Sequence, residues 1–511
     1  MNKFFICLLC LVFVVVFLVL AFRGRVVNGL LDYQKTYTTA VGEPFELSNT
    51  TSRYALTQAI AESHTFFLNQ AQAQFAAPDV VSYHEKFISI FTPGISMLAV
   101  PFYLLGKQVG MPQIFAFLFT IVMAIINLFL VARLSRKFGA GFYSSLAAGL
   151  TFVFATNALP YSQTLTQHHT SVAIILSSIL LVFNKPGLLR NVAIGALYGL
   201  GLLVDIPNGI LLLPVLLLSA FQSFSANKEA GKITFKIKLG VVGILLGLLP
   251  LIAVFGFYNL QTTGSVTLLA QSVGRTNAFS DQLPVQNKVV VAKSSESSAL
   301  ESKSILPFNT RNQLGGMYTL LLSDERSWIY YSPVVLLGIL GLFLAYRHNE
   351  NKSLFAVAGA IVLLDIVLYS SFGDPWGGWA FGPRYLLPAA AILVSGIGVV
   401  IEIFRRKILF WAVFLPVMVY SVGVNTIGVM TTNAIPPKVE AVNLPNPIPY
   451  TYQYNLNLIN AGFTSSLFYN YFLSDKITIP AYLTVFSLGS SGLIIFVALM
   501  SIIQKGDKKN D

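Results

Sequence analysis

Long apolar runs dominate this chain, and they restrict its fold more than any other feature. Crossing the hydrocarbon core of a bilayer takes roughly 20 apolar residues in a helix. Runs of about that length occur at 4–22, 112–133, 142–159, 168–184, 191–204, 207–222, 239–258, 329–346, 353–371, 386–403, 408–427 and 480–503. The sequence therefore predicts an all-α polytopic membrane protein with about 12 transmembrane helices.

The composition excludes the main soluble classes. Only 11% of the 511 residues are charged and 55% are hydrophobic, whereas soluble domains carry about 25% charged residues. A cytosolic enzyme and a disordered chain are both excluded. The two cysteines, Cys7 and Cys10, lie in the first apolar run, which rules out a disulfide framework or a Cys-rich metal site. That run lacks a clear small-x-small cleavage motif, so we predict an uncleaved span, with a signal peptide as the alternative.

The basic residues predict the orientation. More than half of the 33 Lys and Arg residues fall on one side when the short apolar stretch 95–105 lies in the interface instead of crossing. Short basic loops stay in the cytoplasm. We therefore expect a multi-pass protein of the plasma or inner membrane with both termini cytoplasmic. The net charge of +12 is then a topology signal and not a patch for a polyanion.

Runs 191–204 and 207–222 form one apolar stretch that Asp205, Pro207 and Asn208 interrupt. Basic loops flank this stretch on both sides. It must return to the side it left, which predicts a hairpin with Asp205 at its outer tip.

Chemistry is expected outside the cytoplasm. A single transmembrane domain, 1–511, has three large outer segments at 23–111, 259–328 and 428–479, which hold most of the acids. The short cytoplasmic loops contain no Walker A or Gly-rich nucleotide pattern. The first segment reads as amphipathic helices, the last of them interfacial and ending near Leu105. Helices at that depth suit a lipid-linked substrate.

A Gly/Trp-rich loop, 372–385, is the strongest candidate site. It contains Asp374, Trp376, Trp379, Arg384 and Tyr385. Glycines allow the backbone to approach a ligand, and a guanidinium suits a phosphate. The alternative is an aromatic belt with Arg384 paired to Asp374 or snorkelling to the interface.

Three other polar positions remain open. His168 and His169 suggest a metal, a contact with substrate phosphate or sugar, or an ordinary polar turn. Asp324 and Glu325 suggest either a cation site or a solvated helix entry. Asp365, inside a span, is either a proton relay or a packing residue.

Several short motifs together resemble one enzyme clan. They are Ser52-Arg53-Tyr54, Asp79 with Phe91-x-Pro93-Gly94, Pro160-Tyr161, Tyr258-Asn259 with Thr263-Gly264-Ser265, Tyr331-Ser332-Pro333, Trp376-Gly377-Gly378 and Phe381-Gly382-Pro383-Arg384-Tyr385. In this order the chain resembles the GT-C membrane glycosyltransferases, the clan of protein mannosyltransferases and lipid A aminoarabinose transferases.

The resemblance implies a polyprenyl-phosphate-sugar donor, transfer with inversion to a glycan, lipid or protein acceptor at the outer face, and a carboxylate base in the first outer loop. No nucleotide, cofactor or obligatory metal is expected. Asp79 is the first choice for the base, followed by Glu85 and then Glu43 and Glu46. The donor phosphate and sugar are expected to contact Arg384, Tyr385, Asp374, Trp376, Trp379, Arg53, Tyr54 and His168.

The chain also departs from the clan. Relatives carry an acidic pair before the Arg-Tyr, where this sequence has Thr50 and Thr51, and some carry a lysine where it has Phe91. A hydroxyl is no general base at neutral pH without a second base. An inactive homologue that binds polyprenyl phosphate is therefore one alternative. A transporter or flippase for a lipid-linked glycan is another, although no internal repeat is evident.

Overall fold

The computed structural model describes residues 3–24, 40–229, 232–237, 240–273 and 313–503. Residues 25–39 and 274–312, which belong to the predicted outer segments 23–111 and 259–328, lie outside the described residues. Up to the first break in the membrane runs, the elements are α1 Lys3–Leu20, α2 Ser48–Ser63, α3 Gln70–Ala76, β1 Val80–Tyr83, β2 Lys86–Ser89, α4 Gly94–Gln108, α5 Pro112–Lys137, α6 Phe142–Phe154, α7 Ala158–Tyr161, α8 His168–Val182 and α9 Leu188–Val204.

The second half of the chain is also mainly helical. Its elements are α10 Pro207–Leu211, α11 Leu213–Phe221, β3 Phe224–Glu229, β4 Lys232–Ile237, α12 Gly240–Thr263, α13 Ala270–Val273, α14 Gln313–Leu321, α15 Trp328–Tyr331, α16 Val334–His348, α17 Lys352–Ser370, a 3-10 turn Arg384–Leu386, α18 Leu387–Phe404, α19 Ile408–Met430, α20 Lys438–Ala441, α21 Gln453–Asn460, a π-helical turn Tyr469–Leu473 and α22 Ile479–Ile503.

Seven described helices are long and apolar enough to cross a bilayer: α1, α5, α12, α17, α18 with its preceding turn, α19 and α22. Shorter apolar helices, α6, α8, α9, α11 and α16, occupy the other five predicted runs. The prediction of an all-α polytopic membrane protein is confirmed. The count of 12 stays a prediction, because these five helices are shorter than a full crossing requires.

Glycines bring the central helices close together. Helix α18 is the most buried of the seven long helices and packs closely on α16. A Cβ placed on Gly341 would lie 2.0 Å from the carbonyl oxygen of Gly396, and one on Gly338 would lie 2.1 Å from that of Leu393. Small residues at such contacts are the usual way in which membrane helices approach one another.

The chain turns where the interrupted apolar stretch predicts. Helix α9 ends at Val204, Asp205 is extended, and Pro207 opens α10, a position where its missing N–H costs nothing. Both α10 and α11 pack against α9. Asp205 therefore lies in the break between helices, beside the loops at this end of the bundle.

The segment 23–111, predicted to be the first outer segment, is only partly helical in its described residues. Helices α2, α3 and α4 are present, and α4 continues past Leu105 to Gln108. The stretch between them is an antiparallel hairpin, β1–β2, with Val80 opposite Ser89. Its two turn residues, His84 and Glu85, have φ of 47° and 63°, as a two-residue hairpin turn demands. The expectation of helices alone was wrong here, since β-branched and aromatic residues favour strands.

Two buried arginines fasten the loops at the end of the bundle where Asp205 lies, which we call the loop end. Arg326 is 0% exposed and donates to five backbone carbonyls, those of Glu325, Ile435, Trp376, Tyr450 and Gly378, at 2.8–3.4 Å. Arg23 pairs with Glu46 at 2.5 Å and also donates to the carbonyls of Gly428 and Val429. These contacts join segments that are far apart in sequence.

Candidate functional site

Arg53 is buried at the loop end, on the first half of α2. It is 2% exposed. Its Nη1 donates to the Asn49 carbonyl at 3.0 Å, and its guanidinium lies 4.0 Å from the centroid of the Phe91 ring. Its Nε is buried and has no hydrogen-bond partner among the described residues. A buried donor without a partner costs about 1–3 kcal/mol, so this geometry favours a ligand or water oxygen beside Arg53.

Charges from four parts of the chain meet around Arg53. Burial lowers the pKa of Arg53 to about 10, Asp205 and Asp79 oppose that shift, and Arg384 adds to it. Asp79 immediately precedes β1 of the hairpin, Asp205 comes from the break after α9, and Arg384 from the Gly/Trp-rich loop. The structure thus brings two of the predicted donor-site residues and the first-choice base into one electrostatic neighbourhood.

Arg384 begins the 3-10 turn before α18. Its Nη2 donates to the Gly377 carbonyl at 2.6 Å, while its buried Nε finds no acceptor in the described part of the chain. Gly377 has φ of 73°, and a Cβ there would lie 3.1 Å from the Tyr385 ring and 3.2 Å from the Arg384 Nε. Glycine is needed at 377 both for its backbone conformation and for this close approach.

Asp205 is the functional candidate that sequence reasoning missed. Its Oδ2 accepts a hydrogen bond from Gln167 Nε2 at 3.3 Å. Burial raises the pKa of Asp205 to about 6, while Arg53 and Gln167 act in the opposite direction. Within the described ranges no ion pair joins Asp205 to Arg53 or Arg384 at 4.0 Å or less. A lone acid in a long apolar stretch was the signal that could have found it.

The first outer segment holds Asp205 in place. Thr92 Oγ1 donates to the Val204 carbonyl at 2.9 Å. A Cβ on Gly94 would lie 2.4 Å from the Leu203 carbonyl oxygen, so the start of α4 lies directly against the end of α9. Asp205 is therefore fixed relative to α2 and Arg53 by packing, without a direct ion pair.

Asp79 is also fixed beside this group. It is 4% exposed, and Ser48 Oγ donates to its Oδ2 at 2.6 Å. Ser52 Oγ donates to the Asp79 carbonyl at 2.8 Å. Both serines are on α2, the helix that carries Arg53. The hydrogen bond from Ser48 fixes the orientation of the Asp79 side chain.

Two other predicted bases are placed differently. Glu85 is exposed at the hairpin turn, and no described contact connects it to Arg53 or Arg384. Glu46 is engaged with Arg23 and with the backbone N–H groups of Gly42 and Asn433, both at 2.7 Å. Asp79 and Asp205 are the carboxylates that act electrostatically on Arg53, and Asp374 acts on Arg384.

The two adjacent histidines have different surroundings. The His168 ring lies 5.1 Å from that of Tyr161, within electrostatic reach of Arg384 and Arg53, and its Nε2 lacks a partner in the described structure. His169 Nε2 instead lies 2.7 Å from the Ala158 carbonyl oxygen, and its Nδ1 lies 3.2 Å from Asn127. The pair therefore does not face a single site.

Tyr385 lies beside the arginines, and Tyr54 does not. The Tyr385 ring stacks on Tyr369, with centroids 4.5 Å apart and planes at 11°. Tyr54 packs among Phe45 and Tyr103, with centroid distances of 4.9 and 5.7 Å. Successive helical residues point about 100° apart, which explains why Arg53 and Tyr54 separate.

The remaining loop residues are held by polar contacts. Trp379 Nε1 donates to Glu440 at 2.6 Å, and the Trp376 carbonyl accepts from Arg326. Asp374 acts electrostatically on Arg384. These contacts hold the loop that contains Trp376 and Trp379 in a fixed conformation. Arg384 is the positively charged residue of this loop that acts on Arg53.

The other open positions have structural partners. Asp365 Oδ2 accepts from the Ala389 N–H at 3.0 Å and so caps the start of α18. Glu325 Oε1 accepts from the Lys438 N–H at 2.8 Å, and Asp324 accepts from Tyr450 at 3.2 Å. The adjacent acids therefore accept hydrogen bonds from different groups in the described structure.

Thr50 and Thr51 occupy the first turn of α2 and are fully buried. Thr51 Oγ1 donates to the Ser48 carbonyl at 2.8 Å, and Thr50 Oγ1 lies 3.5 Å from Asn49 Oδ1. No described base contacts either hydroxyl, so neither can replace the acidic pair chemically.

We call Arg53, Arg384, His168, Asp79 and Asp205 the charged cluster. Two guanidinium Nε groups and one imidazole Nε2 in it are buried without hydrogen-bond partners among the described residues. Buried polar groups are normally satisfied by protein, water or ligand. Fixed cationic donors favour an anion, and the neighbouring carboxylates can accept a proton.

The comparisons with known proteins give structural similarities at low identity. Neither protein-family descriptions nor curated protein sequences match the chain. Among solved structures it is similar to ArnT from Cupriavidus metallidurans bound to undecaprenyl phosphate, with a TM-score of 0.47, 15% identity, and coverage of 96% of this chain and 77% of that one.

It is also similar to the Archaeoglobus fulgidus oligosaccharyltransferase in complex with zinc and sulfate, with a TM-score of 0.47, 13% identity, and coverage of 86% and 56%. A structure of the archaeal oligosaccharyltransferase AglB from that organism with an inhibitory peptide and a dolichol phosphate has a TM-score of 0.41, 12% identity, and coverage of 96% and 55%. The chain thus spans just over half the length of those two chains.

Proposed function

We propose that this chain is a GT-C type membrane glycosyltransferase that transfers a sugar from a polyprenyl-phosphate donor to an acceptor at the loop end of the bundle. The observation that carries the proposal is the pair of arginines Arg53, which is buried, and Arg384, which is half-buried. Each has an Nε without a described partner, and Arg384 begins the turn that leads into the apolar helix α18. A lipid-linked phosphate fits both features.

A phosphodiester-linked sugar supplies the anion that these donors need. The donor phosphate carries one negative charge, and a second develops on its oxygen as the bond to the sugar breaks. Guanidinium groups placed at that oxygen stabilise the developing charge in a site with little water. Arg53 and Arg384 are assigned to the phosphate, with His168 Nε2 as a third contact.

A carboxylate completes the reaction. It takes the proton of the acceptor hydroxyl, the acceptor oxygen forms a bond to the anomeric carbon, and the bond from that carbon to the phosphate oxygen breaks on the opposite side. The configuration inverts, and polyprenyl phosphate leaves. The proposed base is Asp79 or Asp205, and the pKa of about 6 suits Asp205 to this role near neutral pH.

The orientation belongs to the same proposal. If the basic ends of the helices face the cytoplasm, the charged cluster lies at the outer face, and the donor is drawn from the outer leaflet. The acceptor then comes from outside the cytoplasm, as a glycan, lipid or protein.

One observation favours a second candidate, a polyprenyl-phosphate-binding protein without transferase activity. Thr50 and Thr51 stand where relatives carry acids and are buried in hydrogen bonds of the helix start. Such a protein would retain Arg53 and Arg384 but would have no base. The two candidates differ in turnover and agree in binding.

The test combines radiolabelled polyprenyl-phosphate sugars with the purified protein in lipid. The wild type is compared with Asp79→Asn, Asp205→Asn and Arg384→Ala, with Arg347→Gln as a control, because Arg347 is exposed and stacks on Phe343. We expect transfer by the wild type and the control, and its loss in Arg384→Ala and in one Asn variant. Binding without transfer or hydrolysis would favour the second candidate, and absence of binding would contradict both.

A further inference from the structure

A basic cavity lies at the other end of the bundle from the charged cluster. Its volume is about 560 Å³, and α1, α5 and α6 line it. Three cations, Arg133, Arg136 and Lys137, come from the last turns of α5. Helix α6 runs from this cavity toward the loop end and is 13 residues long, which separates the two sites by about 20 Å.

The cavity is basic and partly apolar. Among its lining residues the three cations are accompanied by Phe129, Phe142 and Leu146, and by no acid. None of the three cations forms an ion pair with any residue that the structure describes. A nearby acid, Glu402, contacts Arg405 and Ser144 instead. The cavity thus offers uncompensated positive charge next to aromatic and aliphatic surface.

An exposed apolar stripe leads along α5 to these cations. Val122, Ile126 and Phe129 are 38–39% exposed, and Arg133 and Arg136 continue the same spacing of three and four residues. Residues at that spacing share one helix face. The face is therefore apolar along its length and cationic at its end.

Helix α1 provides a matching apolar face beside it. Leu8 and Val12 are 46% and 52% exposed, and Cys7 lies in the wall of the cavity. Lys3, at the start of α1, has its Nζ 5.8 Å from the centroid of the Phe142 ring. Apolar stripes that end in a basic cavity have the polarity of a phospholipid.

We propose that this cavity binds an anionic phospholipid of the adjacent leaflet. The headgroup phosphate contacts Arg133, Arg136 and Lys137, and the acyl chains lie along the exposed stripes of α5 and α1. Positive charge complementary to the headgroup selects an anionic over a zwitterionic lipid, since basic cavities between membrane helices at one leaflet hold anionic headgroups. The site is independent of the proposed transferase activity.

The test measures retained lipid and thermal stability of the full chain. Wild-type protein in phosphatidylglycerol nanodiscs is compared with protein in phosphatidylcholine nanodiscs, and released lipids are counted by native mass spectrometry. We expect a retained phosphatidylglycerol and a higher Tm in that lipid. Arg133→Gln/Arg136→Gln/Lys137→Gln should weaken retention by about 10- to 100-fold and remove the difference in Tm.

A matched variant removes the same charge elsewhere. Lys185→Gln/Arg406→Gln/Lys407→Gln changes three exposed cations that do not line the cavity and should behave as the wild type. Arg133→Lys/Arg136→Lys keeps the charge and should retain the lipid, which separates a binding defect from a folding defect. Soluble glycerol phosphate should not displace the lipid.

The proposal is overturned if the wild type retains both lipids equally. It is also overturned if the triple Gln variant retains as much phosphatidylglycerol as the wild type, or if the matched variant loses as much of it as the triple Gln variant. Displacement by glycerol phosphate would assign the cavity to a free phosphate instead. Activity of the charged cluster has no part in these readouts, so a failed transferase proposal and a failed lipid proposal are distinguishable.

Discussion

Two pairs of arginines at the loop end behave in opposite ways. Arg326 and Arg23 are saturated, the first by five carbonyls and the second by a carboxylate and two carbonyls. Arg53 and Arg384 each donate to one backbone carbonyl and leave a buried Nε without a described partner. All four are cationic, and their different surroundings separate a structural role from a binding role.

The difference has a physical basis. A guanidinium whose N–H groups all bond to the protein has no donor left for a ligand. Its removal leaves several carbonyls without a hydrogen bond. A guanidinium with an unfilled donor is destabilising until an anion or water reaches it. Loss of a saturated arginine should therefore damage the fold, and loss of an unsaturated one should damage binding and activity.

The largest expected effect is that of Arg326→Met. Five carbonyls lose their donor at once in a buried location, which costs about 3–5 kcal/mol. We expect a large fall in Tm and in the yield of folded protein, measured by thermal unfolding in detergent. A variant with the Tm of the wild type would contradict the structural role of Arg326.

The next effect is that of Arg384→Ala. Removing a donor that meets developing charge typically lowers kcat by about 10²- to 10³-fold. We expect that loss in the transfer assay with a Tm near that of the wild type, the reverse of Arg326→Met. A fall in Tm as large as that of Arg326→Met would place Arg384 with the structural arginines.

Asp205→Asn tests the base and carries a pH signature. With a pKa of about 6, Asp205 is protonated below that pH and can no longer accept a proton, so transfer by the wild type should fall as the pH drops through about 6. If Asp205 is the base, the transfer rate of Asp205→Asn should fall by about 10²- to 10⁴-fold, and the pH dependence should disappear. A variant that keeps the dependence at a reduced rate would exclude Asp205 as the base and leave it to position Arg53.

The smallest expected effect is that of Arg53→Lys. The charge remains, but the planar fork and its stacking on Phe91 are lost. We expect KM for the donor to rise on the order of tenfold with kcat nearly unchanged. An unchanged KM would remove Arg53 from the phosphate site.

The comparison of arginines also explains how far the sequence could predict this molecule. Apolar periodicity predicts the helices because it is local, and the lone Arg384 after a Gly-rich loop is visible by the same local reasoning. At 80–89, the β-branched and aromatic residues are the only sequence signal that favours a hairpin over a helix. The pairing of the two strands depends on tertiary packing. The sequence-based expectation therefore missed it.

The partners of each arginine are distant in sequence and could not be predicted. Arg326 and Arg384 both precede apolar runs and have similar local context, yet the carbonyls that saturate Arg326 come from positions up to 124 residues away. Asp205 became a site candidate only when the packing of α4 against α9 placed it near Arg53. The sequence shows which residues form the charged cluster. It does not show which of their hydrogen-bonding groups find partners in the folded chain.

The most direct test of the central claim is a cryo-EM structure of the protein with undecaprenyl phosphate. We predict phosphate oxygens at about 3 Å from the guanidinium groups of both Arg53 and Arg384, with the lipid chain between helices and the contacts of Arg326 unchanged. A phosphate bound away from both arginines, with their Nε groups contacting protein atoms, would contradict it.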